Sequence, residues 1–378
     1  MSVSPSPSNQ TMRAAHVPGP GWLAHGTVPE ALSLGTVPAP APPSNTEVLI
    51  AIHAASVTAD DVAVCQDTAG GGWLMHARAP TPGRPHVGGC DYAGVVLAVG
   101  PGVTSLVAGD RVCGVQDLWQ KQRPGTWAER TVAGEAEVCR IGDDSVSFVE
   151  AAGTAMGAFV CSDMLRRAGE AALTGNGRRA LVVGASGGLG NVMVQLLAAR
   201  GAAPGGGDAV HVTAVCSAAN AGAVRALGAD EAIDYAEAPL GERLAAGEPF
   251  DVVFDFVGGL AVERAATPLL RKGAPFVTAV GPRQNVMDRQ LSCCEFTGTA
   301  CGLMGRMLSC FGPKYVMSGD YPPLKQADWD AVRDAGARAR VALEVPLQEE
   351  PLRKALRAAA SHHAGGRVVI NMEINMEI

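Results

Sequence analysis

One stretch constrains the fold more than any other: Arg179 to Arg200, RALVVGASGGLGNVMVQLLAAR. An apolar run ends at Val183, and a glycine-rich turn then opens directly into a segment with Leu189, Met193, Leu196 and Leu197 at helical spacing. A short, continuous apolar run bounded by glycine reads as a buried strand, and the spacing after it reads as a helix packed on that strand. Within Gly184-Ala185-Ser186-Gly187-Gly188-Leu189-Gly190 the glycines have separate tasks. Gly184 permits a tight turn, Gly187 and Gly188 let backbone N–H groups approach a pyrophosphate, and Gly190 lets the helix close on the strand. The helix N-terminus adds partial positive charge facing the phosphates. A second apolar strand, His211–Val215, follows and completes a dinucleotide-binding unit.

The alternation continues. A helix over 219–227, a strand over 251–256, a helix over 261–270 and a strand over 275–280 predict a parallel sheet covered on both faces, a doubly wound α/β domain. Before residue 147 the character differs. Short β segments at 47–55, 93–99, 110–115 and 127–132 are separated by Gly and Pro, as in a barrel-like β unit. Pro38 to Pro43 (PAPAPP) reads as a stiff connection outside any sheet ladder. After Val341 a strand, a helix over 349–360 and a strand over 367–371 are expected to pack back on the first domain. The expected division is 12–148 completed by 341–371 as substrate domain and 149–340 as dinucleotide domain, with 1–11 and 372–378 as tails. The Ser/Pro-rich start, MSVSPSPSNQT, has the composition of a disordered segment.

The end of the second strand bears on which nicotinamide is preferred. An NAD site places Asp or Glu there to hold the ribose hydroxyls, and that carboxylate repels a 2′-phosphate. This chain has Cys216-Ser217-Ala218-Ala219-Asn220 instead, which favours NADPH, with Ser217 and Asn220 as candidate contacts. The next basic residue is Arg225, so a phosphate clamp is thin in the local sequence.

Other classes are excluded or made improbable by simple counts. A net charge of −7 with no Lys/Arg run argues against nucleic acid. No segment reaches the ~20 uninterrupted apolar residues of a membrane span. Ten cysteines lie at 65, 90, 113, 139, 161, 216, 293, 294, 301 and 310, without one Cys-x-x-Cys pair, so they read as buried thiols rather than a zinc knuckle. The leader carries too little Arg for a clear transit peptide, leaving cytoplasm or mitochondrial matrix.

Several motifs together resemble the medium-chain dehydrogenase/reductase superfamily in its zinc-free quinone-oxidoreductase division. They are HAASV at 53–57, GGCDYAGVVLAVG at 88–100, GDRV at 109–112, GTWAE at 125–129, VSFVEAAG at 146–153, GASGGLG at 184–190, VTAVCS at 212–217 and LGAD with IDY at 227–235. FDVVFDFVGG (250–259), NVMDR (285–289) and HHAGGRVVIN (362–371) are most similar to the mitochondrial reticulon-interacting oxidoreductases. The resemblance implies a GroES-like β-barrel domain joined to a Rossmann domain. It also implies NADPH-dependent reduction of quinones or activated carbon–carbon double bonds, and often a homodimer. By the same resemblance, cofactor contacts fall on Ser186, Gly188, Leu189, Ser217, Tyr235, His363, Ala364 and Gly365.

Where zinc alcohol dehydrogenases of the superfamily carry a ligand Cys, this chain has Thr58, and it has Gly89-Cys90-Asp91 in place of their Gly-His-Glu. One cysteine without a partner His or Cys cannot make a catalytic zinc site. The protein's contribution is then positioning, with Thr58 as a candidate for polarising the substrate oxygen. Two alternatives compete: a non-catalytic NADPH-binding sensor, and a zinc alcohol dehydrogenase.

Overall fold

The computed structural model describes residues 10–17, 32–59, 61, 86–116, 125–175, 177–201, 209–244, 247–284, 292–309, 312–318 and 324–373. In chain order the first strands are β1 (Thr11–Val17), β2 (Ser33–Pro38), β3 (Glu47–Val57), β4 (His86–Val87), β5 (Asp91–Val99), β6 (Arg111–Val115), β7 (Arg130–Gly134) and β8 (Val138–Arg140). β3 alternates between buried and half-buried positions over most of its length, the pattern of a strand with one face on a core. It pairs antiparallel with β5 on one side. Trp127 lies fully buried in this core, and its indole N–H donates to the Ser56 carbonyl at 2.9 Å.

Helix α1 (Phe148–Ala168) begins at Ser147, which exchanges side-chain and backbone hydrogen bonds with Glu150, and stops at Gly169, φ 85°. Its length and hydropathy suit a membrane span, but 72% of that window is buried inside the fold, so it serves as a core helix. It packs on β3, β5, β6 and β16 of the barrel and also on the next helix. Then come β9 (Arg178–Val183), α2 (Gly190–Gly201), β10 (Val210–Cys216), α3 (Ala221–Ala226), β11 (Glu231–Asp234), α4 (Leu240–Leu244), β12 (Val252–Asp255), α5 (Leu260–Ala266), β13 (Pro275–Thr278), α6 (Cys293–Met307), β14 (Lys314–Met317), α7 (Gln326–Asp334), β15 (Val341–Pro346), α8 (Glu349–Ala360) and β16 (Arg367–Asn371).

The six-stranded sheet has the order β11-β10-β9-β12-β13-β14, all parallel. Strand order reverses between β9 and β12, and sheets of this kind bind ligands at that switch point, beyond the strands' C-terminal ends. The glycine turn follows β9 and lies there. In the barrel, β16 pairs antiparallel with β3 and parallel with β15, so the end of the chain joins the N-terminal sheet. The architecture is a GroES-like domain joined to a Rossmann domain.

Some local readings shift. Thr11 lies in β1 and pairs with Pro38, which ends β2. β2 is an edge strand, where a missing N–H is tolerated. The strand read over 127–132 is β7 at 130–134, because Trp127 is turned into the core and Ala128 makes only a single bridge to Ala14. The helix read over 261–270 ends at Ala266 in a 3₁₀ turn over Thr267–Leu269, where Pro268 has no N–H to continue the helix. The NVMDR motif and residues 202–208 lie outside the described residues.

Candidate functional site

The turn after β9 is tied down by its own backbone. Gly184 and Ala185 N–H groups donate to the Val215 carbonyl at 3.1 and 3.0 Å, and Gly187 N–H closes back on the Gly184 carbonyl at 3.0 Å. Gly184 has φ 80°, a left-handed value that glycine adopts without strain. A Cβ on Gly190 would lie 2.8 Å from Ala185 Cα and closer still to the Gly184 oxygen, so only glycine lets α2 start so near β9. Among the described residues the N–H groups of Ser186, Gly188 and Leu189 have no hydrogen-bond partner. These three donors point from a helix N-terminus, the arrangement that suits an anion. Gly187 closes the turn instead of offering its N–H outward.

Beside that turn stands a residue the sequence reading passed over. Arg367, the first residue of β16, is 5% exposed, and a Cβ on Gly188 would lie 2.9 Å from its Cδ. Its Nη1 is 3.6 Å from Asp91 Oδ2, whereas Nε and Nη2 are buried and have no hydrogen-bond partner among the described residues. Asp91 is itself fully buried. It accepts from Ser56 Oγ at 2.5 Å and from the Cys90 thiol at 3.2 Å. Burial pushes its carboxyl above the usual carboxylate range, while Arg367, Ser56 and Cys90 pull it back. Two buried guanidinium nitrogens without acceptors are costly unless an acceptor arrives. The cradle of free amides and Arg367 fits a pyrophosphate.

A second cluster lies at the C-terminal end of β10. Asn220 Nδ2 donates to Ser217 Oγ at 3.1 Å, and Tyr235 N–H donates to the Cys216 carbonyl at 3.2 Å with its ring 54% exposed. Arg340 Nη1 donates to Asn220 Oδ1 at 3.2 Å and also to the Gly365 carbonyl. Gly365 has φ 70°, and a Cβ there would touch both Asn220 and Arg340. His363 is exposed and Ala364 half-buried on the same loop. Ser217, Asn220 and Gly365, read separately in the sequence, therefore meet here, with Arg340 as an unforeseen member. Arg225, the nearest basic residue in sequence, turns to the Ala232 carbonyl at 3.4 Å.

Thr58 does not present a free donor. Its hydroxyl donates to Asp61 Oδ2 at 2.7 Å and accepts from Asp61 N–H at 3.1 Å, while its own N–H also reaches that carboxylate at 2.8 Å. This reciprocal box holds a turn. The hydroxyl would have to swing off Asp61 to reach a substrate. The donor set near Cys90 does not fit a catalytic zinc: Asp91 is held by Ser56 and Arg367, Thr58 is bound to Asp61, and among the described residues no three His, Cys, Asp or Glu side chains converge. Burial pushes the Cys139 and Cys161 thiols up to about 12, so neither supplies a thiolate.

Comparison with known proteins agrees with this architecture. Residues 44–199 match the alcohol dehydrogenase GroES-like domain family, and residues 227–370 match the zinc-binding dehydrogenase family. The mitochondrial NAD(P)H oxidoreductase RTN4IP1 of Mus musculus is 36% identical over 252 residues, 64% of this chain and 60% of that protein. The chloroplast envelope quinone oxidoreductase homolog of Arabidopsis thaliana is 32% identical over 254 residues, 65% of this chain and 70% of that protein. The solved quinone oxidoreductase of Coxiella burnetii superposes with a TM-score of 0.72 at 20% identity, over 96% of this chain and 100% of its own, and so shares the fold. The chain spans 60% of the length of the mammalian relatives it matches.

Proposed function

Because the chain belongs to the medium-chain dehydrogenase/reductase family, we propose that it is an NADPH-dependent reductase that passes hydride, without a metal, to a quinone or an α,β-unsaturated carbonyl compound. The observation that carries this reading is the buried Arg367 guanidinium, two of whose nitrogens lack acceptors beside the free N–H of Gly188. A pyrophosphate set there satisfies both the amides and the guanidinium, and Arg–phosphate hydrogen bonds are among the strong ones.

A reduced nicotinamide held by this chain supplies the hydride. This chain's own residues bind and orient. The turn over 184–190 and Arg367 anchor the phosphates, and the Ser217–Asn220 edge receives the adenosine ribose. Charge developing on the acceptor oxygen requires hydrogen-bond donors in the cleft. Thr58 fills that role only if its hydroxyl turns from Asp61. The absence of an acid at the end of β10 supports NADPH over NADH.

The test is turnover by the full chain with NADPH and with NADH across a panel of quinones and enones, before and after exhaustive chelation. The expected result is NADPH-dependent reduction of one of these classes, unchanged by chelation. Tight NADPH binding with no turnover on any acceptor would instead support the sensor reading. Stoichiometric zinc with activity lost on chelation would contradict the metal-free reading and favour the zinc alcohol dehydrogenase alternative.

A further inference from the structure

We infer that Arg340 is the residue that selects NADPH, by gripping the 2′-phosphate of the cofactor at the end of β10. This inference rests on the site reading above and adds to it a residue 120 positions away from the edge it serves.

The backbone that carries Arg340 is fixed by α2. Gln195 bonds the Arg338 carbonyl and N–H through its side-chain amide at 2.7 and 3.1 Å. One turn earlier, Asn191 Oδ1 accepts from Arg340 N–H at 3.1 Å, while Asn191 Nδ2 donates to the Gly187 carbonyl at 2.6 Å. The Arg340 carbonyl in turn accepts from Arg367 N–H at 2.8 Å. The same helix that opens at the glycine turn thus sets the height of Arg340 relative to that turn.

From this anchored position the side chain reaches the Ser217 edge. Only Nη1 is engaged, by Asn220 Oδ1 and the Gly365 carbonyl; Nη2 and Nε make no hydrogen bond among the described residues. No carboxylate among the described residues pairs with this guanidinium. The nearby acid, Asp234, accepts from Ala236 N–H at 3.0 Å within its own turn. Ser217 Oγ accepts from Asn220, which leaves its own O–H to donate outward. Tyr235 adds an exposed hydroxyl on the neighbouring strand end. The edge therefore collects a cation and two hydroxyl donors. A phosphate monoester is the group that such a set recognises, and the planar fork of Arg matches it with two parallel hydrogen bonds. A ribose diol is gripped by a carboxylate, and the end of β10 carries Cys216, Ser217 and Asn220 in its place.

Calorimetric titration of the full chain with NADPH, NADH and adenosine 2′,5′-bisphosphate tests this. In the parent, NADPH should bind at least about tenfold tighter than NADH, since a charged hydrogen-bonded pair is gained with only one of them. Arg340→Met should weaken NADPH and the bisphosphate roughly thirtyfold and leave NADH within about twofold, and Arg340→Lys should recover part of the loss. Equal loss of NADPH and NADH in Arg340→Met would overturn the inference and assign Arg340 to holding the Gly365 loop. Equal affinity of the parent for both nucleotides would overturn it as well. Failure of the parent to bind either would remove the site reading itself, and this inference with it.

Discussion

Arg367→Met should lower stability by about 3–5 kcal/mol near neutral pH, the usual consequence of leaving one member of a buried charge pair alone, and should abolish measurable NADPH binding. Asp91 is fully buried and, among the described residues, keeps Ser56 and Cys90 as its side-chain partners once the guanidinium is gone. The pH dependence carries a sign that distinguishes this origin from simple loss of packing. Burial raises the Asp91 carboxyl above its unfolded value, and Arg367 opposes that rise. The folded state therefore holds more protons than the unfolded one above the ordinary carboxylate range, so stability falls as pH rises through the raised value. Removing Arg367 lifts that value further and widens the window. Urea unfolding of the variant should therefore show a steeper decline from acidic to neutral pH than the parent. Adding Asp91→Asn should flatten the curve and restore much of the loss. Parallel pH curves for parent and variant would contradict the pairing.

The second large effect is expected at Gly190. A Cβ there meets the backbone of Gly184 and Ala185, which cannot rotate away as a side-chain end could. Gly190→Ala should cost roughly 3 kcal/mol or more, or prevent folding, because α2 must move off β9. Gly298→Ala, within α6, provides the opposite sign: nothing lies within 4 Å of its Cβ position. There the gain in helix propensity should stabilise by about 0.5–1 kcal/mol. Denaturation midpoints of the two variants should move in opposite directions; a Gly190→Ala midpoint equal to the parent's would show that the turn is not closed as described.

The parallel sheet was readable from the sequence because its strands are buried on both faces. LVV at 181–183 and VVF at 252–254 are apolar without interruption, and the turn between β9 and α2 announces itself by its glycines. The strands of the first sheet were less visible. β1, TMRAAHV, contains Arg13 and His16, and its place is secured from afar by Arg13 N–H donating to Glu129 at 3.0 Å. Helix ends shifted wherever a local backbone event, such as Pro268, overruled the apolar spacing. In the site, Ser217 and Asn220 were nameable because they follow the second strand of the dinucleotide unit, whereas Tyr235 and residues 363–365 were nameable only through the family resemblance. Arg367 was present in the sequence only as a charge at the start of an apolar strand, a signal that a search for unexplained charges would find. Asp91 read as the remnant of a metal motif, and its contact with Arg367 gives it a different task as counterion. Arg340 had no sequence signal, since its meaning depends on Asn191 and Asn220 coming within reach in the folded chain.

Isothermal titration of NADPH into the intact chain, with Gly188→Asp measured beside it, bears most directly on the pyrophosphate cradle. The expected result is one nucleotide bound per chain in the parent and none in the variant, with both equally folded. A carboxylate at position 188 would lie against Arg367 and take up its unpartnered N–H groups. Equal NADPH binding by parent and variant, or no heat from the parent with either reduced nicotinamide, would contradict the account.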